Sequence, residues 1–417
     1  MKKDSRLKRY LKILGPGLIT GASDDDPSGI ATYSQAGAGF GLGLLWMAPF
    51  TFPLMAALQG MCARIGLVTS QGLTHTLKKH YSPVILYLML IFSVPAIILN
   101  IGADIAGMGA VTNLLFPAVP SYVFSVVFTV IMMVIIIIFP YQKITGILKW
   151  LCLSILLYLL VPFIVHVNWK QVAISTFVPH FEMNKGFIEM VVAILGTTIS
   201  PYLFFWQATM EAEDVEHNQK QVIVDKRIIR GMAADVNTGM FASNLVMLFI
   251  MLTTGVVLYN AGIREINTVE QAAKALEPLA GKLSYVFFAL GVVGTGFLAI
   301  PVLTGSLSYM VAETFGWQEG LDKKFQEARA FYIVIIVSLV TGLFINVFGI
   351  SPMKALIFTA ILYGVTSPVM IAVVIHIGNN KKIMGGFTNT RFSNILGGIT
   401  FIIMTVASLL LLYFTFK

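Results

Sequence analysis

Apolar residues along this chain run in long blocks, with neither the period-two alternation of a half-buried strand nor the one-sided stripe of a surface helix. A helix needs about 20 apolar residues to cross the hydrocarbon of a bilayer. By that measure eleven spans are predicted, at 13–39, 42–66, 83–110, 119–139, 144–167, 186–211, 230–259, 283–315, 330–348, 351–377 and 393–416. Residues 1–12 precede them as a polar tail, and 13–417 read as one transmembrane domain. Between spans seven and eight, residues 268–282 carry apolar positions at helical spacing, which predicts a short surface helix covering one mouth of the bundle.

Two spans, five apart in order, interrupt their own pattern. Span one contains Ser23-Asp24-Asp25-Asp26-Pro27-Ser28-Gly29, and span six contains Gly196-Thr197-Thr198-Ile199-Ser200-Pro201. Proline removes a backbone donor and crowds the preceding turn, while a nearby glycine eases unwinding. Unwound backbone at membrane depth persists only where protein or a water-filled cavity satisfies it. Matched breaks in the first helix of each five-helix half point to an inverted-repeat, LeuT-like all-α membrane protein with a substrate between the breaks. The first repeat covers about 13–167, the second about 186–377, and an eleventh helix follows at 393–416. A packing kink is the competing reading of either break, and three aspartates in one of two matched breaks disfavour it.

Composition strengthens the membrane reading. Of 417 residues, 57% are hydrophobic and 12% charged, with a mean hydropathy of +0.83, outside the range of soluble domains. The net charge of +8 is spread along loops rather than gathered in a patch, so it argues against nucleic acid and reports topology instead. With the N-terminus inside, three-quarters of the 28 lysines and arginines fall on the inner side, which predicts a cytoplasmic N-terminus and an outer C-terminus. The basic start resembles a secretory signal, but its apolar part holds three aspartates and no A-x-A site, so a cytoplasmic tail is expected. Cys62 and Cys152 lie in apolar stretches as packing residues, and the six histidines are too scattered for a zinc site.

The acidic break sets the chemistry. Each aspartate at the centre of a span costs about 2.5 to 3.5 kcal/mol on insertion scales, so these side chains must face a hydrated cavity, carry protons or meet cations. No basic residue lies near their level, since Arg64 and Lys149 sit near span ends, and a mobile cation is the natural partner. Carboxylate, hydroxyl and freed carbonyl oxygens suit a hard ion. The expected ligands are Asp26, Ser23, the Gly29 region, Thr197 and Ser200, with Asp25 a further candidate. Asp24, and in part Asp25, are expected at the membrane edge as an access or capping pair, leaving Asp26 deepest.

At these residues the chain resembles the natural-resistance-associated macrophage protein (NRAMP) family of divalent metal transporters. That family carries GPG, DPGN and QAGA along its first helix and AxxMPH in its sixth. Here the matching stretches are Gly15-Pro16-Gly17, Asp26-Pro27-Ser28-Gly29, Gln35-Ala36-Gly37-Ala38 and Thr197-Thr198-Ile199-Ser200-Pro201-Tyr202. The resemblance implies eleven spans, a transported metal and no resident cofactor. Gly29 stands where the family's ligand asparagine would be, and Ser200 where its ligand methionine would be. A hydroxyl in place of a soft thioether removes a preference for softer metals. Mg²⁺, which keeps several waters and needs few carboxylates, fits a wider oxygen-lined site. The pattern looks like the magnesium-transporting branch of the family, with Mn²⁺ also compatible.

Coupling departs in parallel. The family's proton-coupled members use a sixth-helix histidine, acidic residues on the third helix and basic residues on the ninth. Tyr202 holds the histidine position, 331–348 contains no lysine or arginine, and Asp104 remains on span three. Uncoupled uptake is expected, since an inward-negative potential favours a doubly charged ion by about 4.6 kcal/mol per 100 mV. Gln207, Glu211 and Trp206 are expected along the inner path, with Glu213, Asp214 and Glu216 either attracting a departing cation or forming a solvated face. Asp235 and Asn237 either line the inner vestibule or cap a helix. The expected protein is a monomer in a prokaryotic plasma membrane, with the bilayer and a divalent ion as partners. The alternatives are a proton-coupled Mn²⁺ or Fe²⁺ symporter of the same family, an amino-acid carrier on the same fold, and a metal sensor. No nucleophile and base pair up, so no enzyme is expected.

Overall fold

Hydropathy decides where this chain crosses, and proline decides where several crossings begin. The computed structural model describes residues 15–139, 157–217, 225–345 and 349–417. Pro16, Pro83 and Pro352 each open a helix, where the missing N–H costs nothing because first-turn donors have no intrahelical acceptor. Span one is split into Pro16–Asp24 and Pro27–Phe40, and span six into Lys185–Thr198 and Pro201–His217. Met47–Thr69, Pro83–Leu115 and Ser121–Ile138 form spans two to four. Span seven is Lys226–Thr254, extended by a π-helical turn over Gly255–Tyr259. Ser284–Phe315, Arg329–Ile345, Pro352–Asn379 and Arg391–Phe416 complete spans eight to eleven. The tail 1–12, most of span five with Cys152, and residues 346–348 of span nine lie outside the described residues.

Both breaks are narrower than the sequence suggested. Only Asp25 and Asp26 separate the helices of span one, and only Ile199 and Ser200 those of span six. Among the eight described helices long and apolar enough to cross a membrane, span six is the most enclosed, 89% buried over its apolar window, against 22% for span four. Span four instead turns Val127, Val130 and Val134 outward, and span eleven Ile395, Ile402 and Leu409. An outward apolar surface of this kind is matched to lipid, and the chain is an integral membrane protein.

Small residues let the broken helices seat closely. A Cβ on Gly21 would stand 2.3 Å from the Gly239 backbone, and one on Gly196 2.0 Å from the Ala360 carbonyl oxygen. The first half of span one thus lies on span seven, and the first half of span six on span ten. Side chains also mark the two ends of the bundle. Arg64 Nη1 donates to Thr388 O at 3.1 Å and Tyr81 Oη meets His376 Nδ1 at 2.7 Å, joining the ends of spans two and ten to the start of span three. At the other end Gln35 Nε2 donates to Arg264 O at 3.0 Å, and Ser351 Oγ to Asn267 O at 3.2 Å.

The segment 268–282 differs from the single surface helix expected. A capping box of Thr268 and Gln271 starts Val269–Ala273, followed by a 3-10 turn at Lys274–Leu276 and a short helix at Glu277–Ala280. Ala272, Ala273, Ala275 and Leu276 are fully buried, so their spacing records packing into the bundle against span eight rather than a helix resting on its surface.

Candidate functional site

A continuous helix would tie the carbonyl of Ser23 to the N–H of residue 27, but Pro27 has none. The freed oxygen accepts from Tyr202 Oη at 3.2 Å, across from the other broken helix. Pro201 frees the Thr197 carbonyl in the same way, and Ser200 Oγ donates to it at 2.7 Å and to Gly196 O at 2.9 Å. Ser367 Oγ from span ten donates to Ile199 O at 3.0 Å. The irregular backbone is thereby satisfied by protein, as membrane depth requires.

Asp26 caps the second half of span one: its Oδ1 accepts from Gly29 N at 2.7 Å. Its Oδ2 accepts from Asn100 Nδ2 at 2.9 Å, and the same amide stands 3.5 Å from Asp104 Oδ2. Asn100 and Asp104 lie one turn apart on span three and so share a face. Thr359 Oγ1 of span ten reaches Asn100 Oδ1 at 2.9 Å. A Cβ on Gly29 would lie 3.4 Å from Thr197 Oγ1 and 3.2 Å from the Asp24 carbonyl oxygen, so the two breaks meet at this glycine.

The structure brings together Asp26, Gly29, Thr197, Tyr202 and Asp104, and it changes the part played by others. Asp24 and Asp25 do not lie at a solvated membrane edge, because they are only 1% and 5% exposed. Ser243 Oγ of span seven donates to Asp24 Oδ2 at 2.8 Å and reaches Asp25 Oδ1 at 3.3 Å, and the capping role belongs to Asp26. Ser23 turns its hydroxyl back to Ile19 O at 2.9 Å, so it meets the site through its carbonyl. Asp235 accepts from the N–H groups of Gly15, Gly17 and Leu18 at 2.8, 2.7 and 3.2 Å, capping the first helix from span seven, while Asn237 is exposed.

Further along span six, Gln207 Nε2 donates to Glu211 Oε1 at 3.0 Å, both side chains being buried. Trp206 packs against Gly305, and Glu213 accepts from Tyr309 Oη at 2.5 Å. Asp214 is exposed, and the side chain of Glu216 lies outside the described residues. A cavity of about 860 Å³ opens at this end, lined among others by Gln71, His75, Thr209, Glu213, Glu313 and Asp322. The His75 N–H donates to Glu313 Oε2 at 2.7 Å; partial burial, then Lys79 and Lys78, hold its imidazole below the usual range. On the opposite side of the breaks, Pro27, Ile30, Val269, Phe288 and Leu356 enclose only about 10 Å³. Apolar side chains leave little room there beside Pro27, and a polar-lined cavity opens at the other end.

Sequence reasoning missed Asn100, Ser243 and Thr359. Among the described residues no three His, Cys, Asp or Glu side chains are grouped as a metal cluster. A cation at the breaks would therefore depend on amide, hydroxyl and carbonyl oxygens beside Asp26.

Comparison with known proteins agrees with this geometry. The chain is 27% identical to the divalent metal cation transporter MntH of Caldanaerobacter subterraneus subsp. tengcongensis over 99% of its own length and 95% of that protein's. It is 24% identical to the MntH of Clostridium acetobutylicum, covering 98% and 92%. Its fold matches a crystal structure of the Eremococcus coleocola manganese transporter with a TM-score of 0.77 at 19% identity, over 98% of this chain and 87% of that one. MhsT in complex with L-phenylalanine shares the fold with a TM-score of 0.62 at 12% identity, over 98% of both chains. The sequence pattern described as natural resistance-associated macrophage protein-like matches residues 17–414, and the chain belongs to that family, Nramp.

Proposed function

We propose that this protein carries divalent metal ions across its membrane by alternating access, with Mg²⁺ the favoured ion and no proton coupling. The observation that carries the reading is Asp26, a buried carboxylate between the two breaks, with Asp104, the Asn100 amide, the Thr197 hydroxyl and the Ser23 carbonyl near it as further oxygen groups. Hard oxygen ligands suit Mg²⁺ and do not exclude Mn²⁺. The two MntH proteins named above support divalent metal transport in general. Tyr202 in place of a titrating imidazole supports transport without protons, since a phenol ordinarily ionises near pH 10. The cytoplasmic N-terminus and monomeric action inferred from the sequence belong to the same reading.

A second reading, a proton-coupled Mn²⁺ symporter, is favoured by one observation: Asp104 lies beside Asp26, joined to it through Asn100. An amino-acid carrier fits poorly, because three aspartates at the break of span one repel a substrate carboxylate. Purified protein in liposomes separates these readings when Mg²⁺, Mn²⁺ and Ca²⁺ fluxes are followed beside a pH-sensitive dye. The expected result is saturable Mg²⁺ flux without acidification, abolished in Asp26→Ala. Undiminished flux in Asp26→Ala would remove the site, and Mn²⁺ flux with matched lumen acidification would establish the second reading.

A further inference from the structure

Asn100 is wholly buried and stands between two carboxylates on one side and a threonine hydroxyl on the other. Its Nδ2 faces Asp26 Oδ2 at 2.9 Å and Asp104 Oδ2 at 3.5 Å, while Asp104 Oδ1 has no hydrogen-bond partner among the described residues although Asp104 is 0% exposed. Its Oδ1 accepts from Thr359 Oγ1. We infer that Asn100 is a reversible member of the cation site: its amide holds Asp26 as seen here and, turned over about its terminal bond, its carbonyl joins Asp26 and Asp104 on a hard, partly hydrated divalent cation. The inference rests on the divalent-cation reading above and gives that site the amide oxygen that Gly29 cannot supply.

The surroundings accept both orientations. Thr359 Oγ1 also reaches Leu356 O at 2.8 Å, and Ser28 Oγ reaches Leu356 O at 2.9 Å and Thr359 Oγ1 at 3.3 Å. In the orientation seen, Ser28 donates to Leu356 and Thr359 donates to Asn100. With the carboxamide reversed, Nδ2 donates to Thr359 Oγ1, whose own O–H turns to donate to Leu356 O, and no polar atom on that side loses a partner. On the other side, reversal sets the carbonyl oxygen against the oxygens of Asp26 and Asp104, an arrangement that a divalent cation among the three oxygens makes favourable when both carboxylates are ionised. A proton on either carboxyl would favour it too, and the ion titration below separates the two.

The test is isothermal titration of the purified full chain with MgCl₂, MnCl₂ and CdCl₂, paired with liposome flux of the same ions and a thermal unfolding scan. Asn100→Ala is expected to weaken Mg²⁺ and Mn²⁺ binding by roughly tenfold or more. Asn100→Cys is expected to move the order of affinities toward Cd²⁺, because a thiolate is a soft ligand. A purely structural asparagine would lower the unfolding temperature of both variants and leave the ion order unchanged. Folded variants with unaltered affinities and order overturn the inference. Should the Asn100 variants fail to fold, Asp104→Asn decides, since the inference makes Asp104 a ligand of the same ion: weakened Mg²⁺ binding supports the site, and unchanged binding overturns it. A wild-type protein that neither binds nor moves any of these ions overturns the transport reading itself. Ion transport that is lost in Asp26→Ala but unchanged in folded Asn100 variants overturns only the present inference.

Discussion

Tyr202 occupies the place where the family resemblance expects a histidine, and its hydroxyl donates to the carbonyl that Pro27 releases. Tyr202→Phe keeps the ring packed 5.6 Å from Tyr363 and removes only that donor. A buried carbonyl left without its partner costs about 1–3 kcal/mol. The expected outcome is a lower unfolding temperature in detergent, and an unchanged one would show that the bond is dispensable. Pro27, Pro201 and the aspartates were legible in the sequence because each departs sharply from an apolar background. Asn100 was not, although with Asp104 it forms an N-x-x-x-D step on one helical face; what makes it part of the site is contact with a residue 74 positions earlier. Ser243 was hidden for the same reason, being 219 positions from Asp24.

Among the elements, the first half of span one is the most dependent on its neighbours. It spans only Pro16–Asp24, begins at a Gly-Pro-Gly turn, and has its leading N–H groups capped from span seven by Asp235. So short a helix is marginal by itself and gains its stability from packing and capping. Asp235→Ala removes three acceptor contacts and should cost about 0.5–2 kcal/mol, the scale of a lost N-cap. Hydrogen exchange should quicken in residues 15–24 and stay unchanged in 27–40; equal rates in both would refute a local anchoring role. The long spans were readable from hydropathy alone, since lipid demands about 20 apolar residues whatever the tertiary contacts. Segment 268–282 was less readable, because helical spacing records which side is buried but not what buries it. Asp235 was ambiguous from sequence because a carboxylate near the start of a predicted span can line a vestibule or cap a helix, and here it caps one whose residues lie 218 positions away.

At the scale of the whole molecule, the two ends differ in charge. Lys78, Lys79, Lys323, Lys324, Lys381 and Lys382 all belong to the loops that close spans two, eight and ten at the end holding the large cavity. The positive-inside rule predicts that this end is the cytoplasmic one. Labelling of intact cells with a membrane-impermeant maleimide checks this, using Glu270→Cys and Lys382→Cys, both at exposed positions. Modification of Glu270→Cys alone is expected, and the converse pattern would invert the topology.

Asp26 bears on how firmly an ion is held as well as on where. Both of its oxygens already accept hydrogen bonds from the protein, and the carbonyl freed by Pro27 is engaged by Tyr202. At Asp26 an arriving ion must exchange with these internal donors. Its net gain is the difference between two well-satisfied arrangements, and such differences are small compared with either term. For the proposed carrier the expected result is a shallow well with a short residence time, which keeps an ion from becoming trapped halfway across.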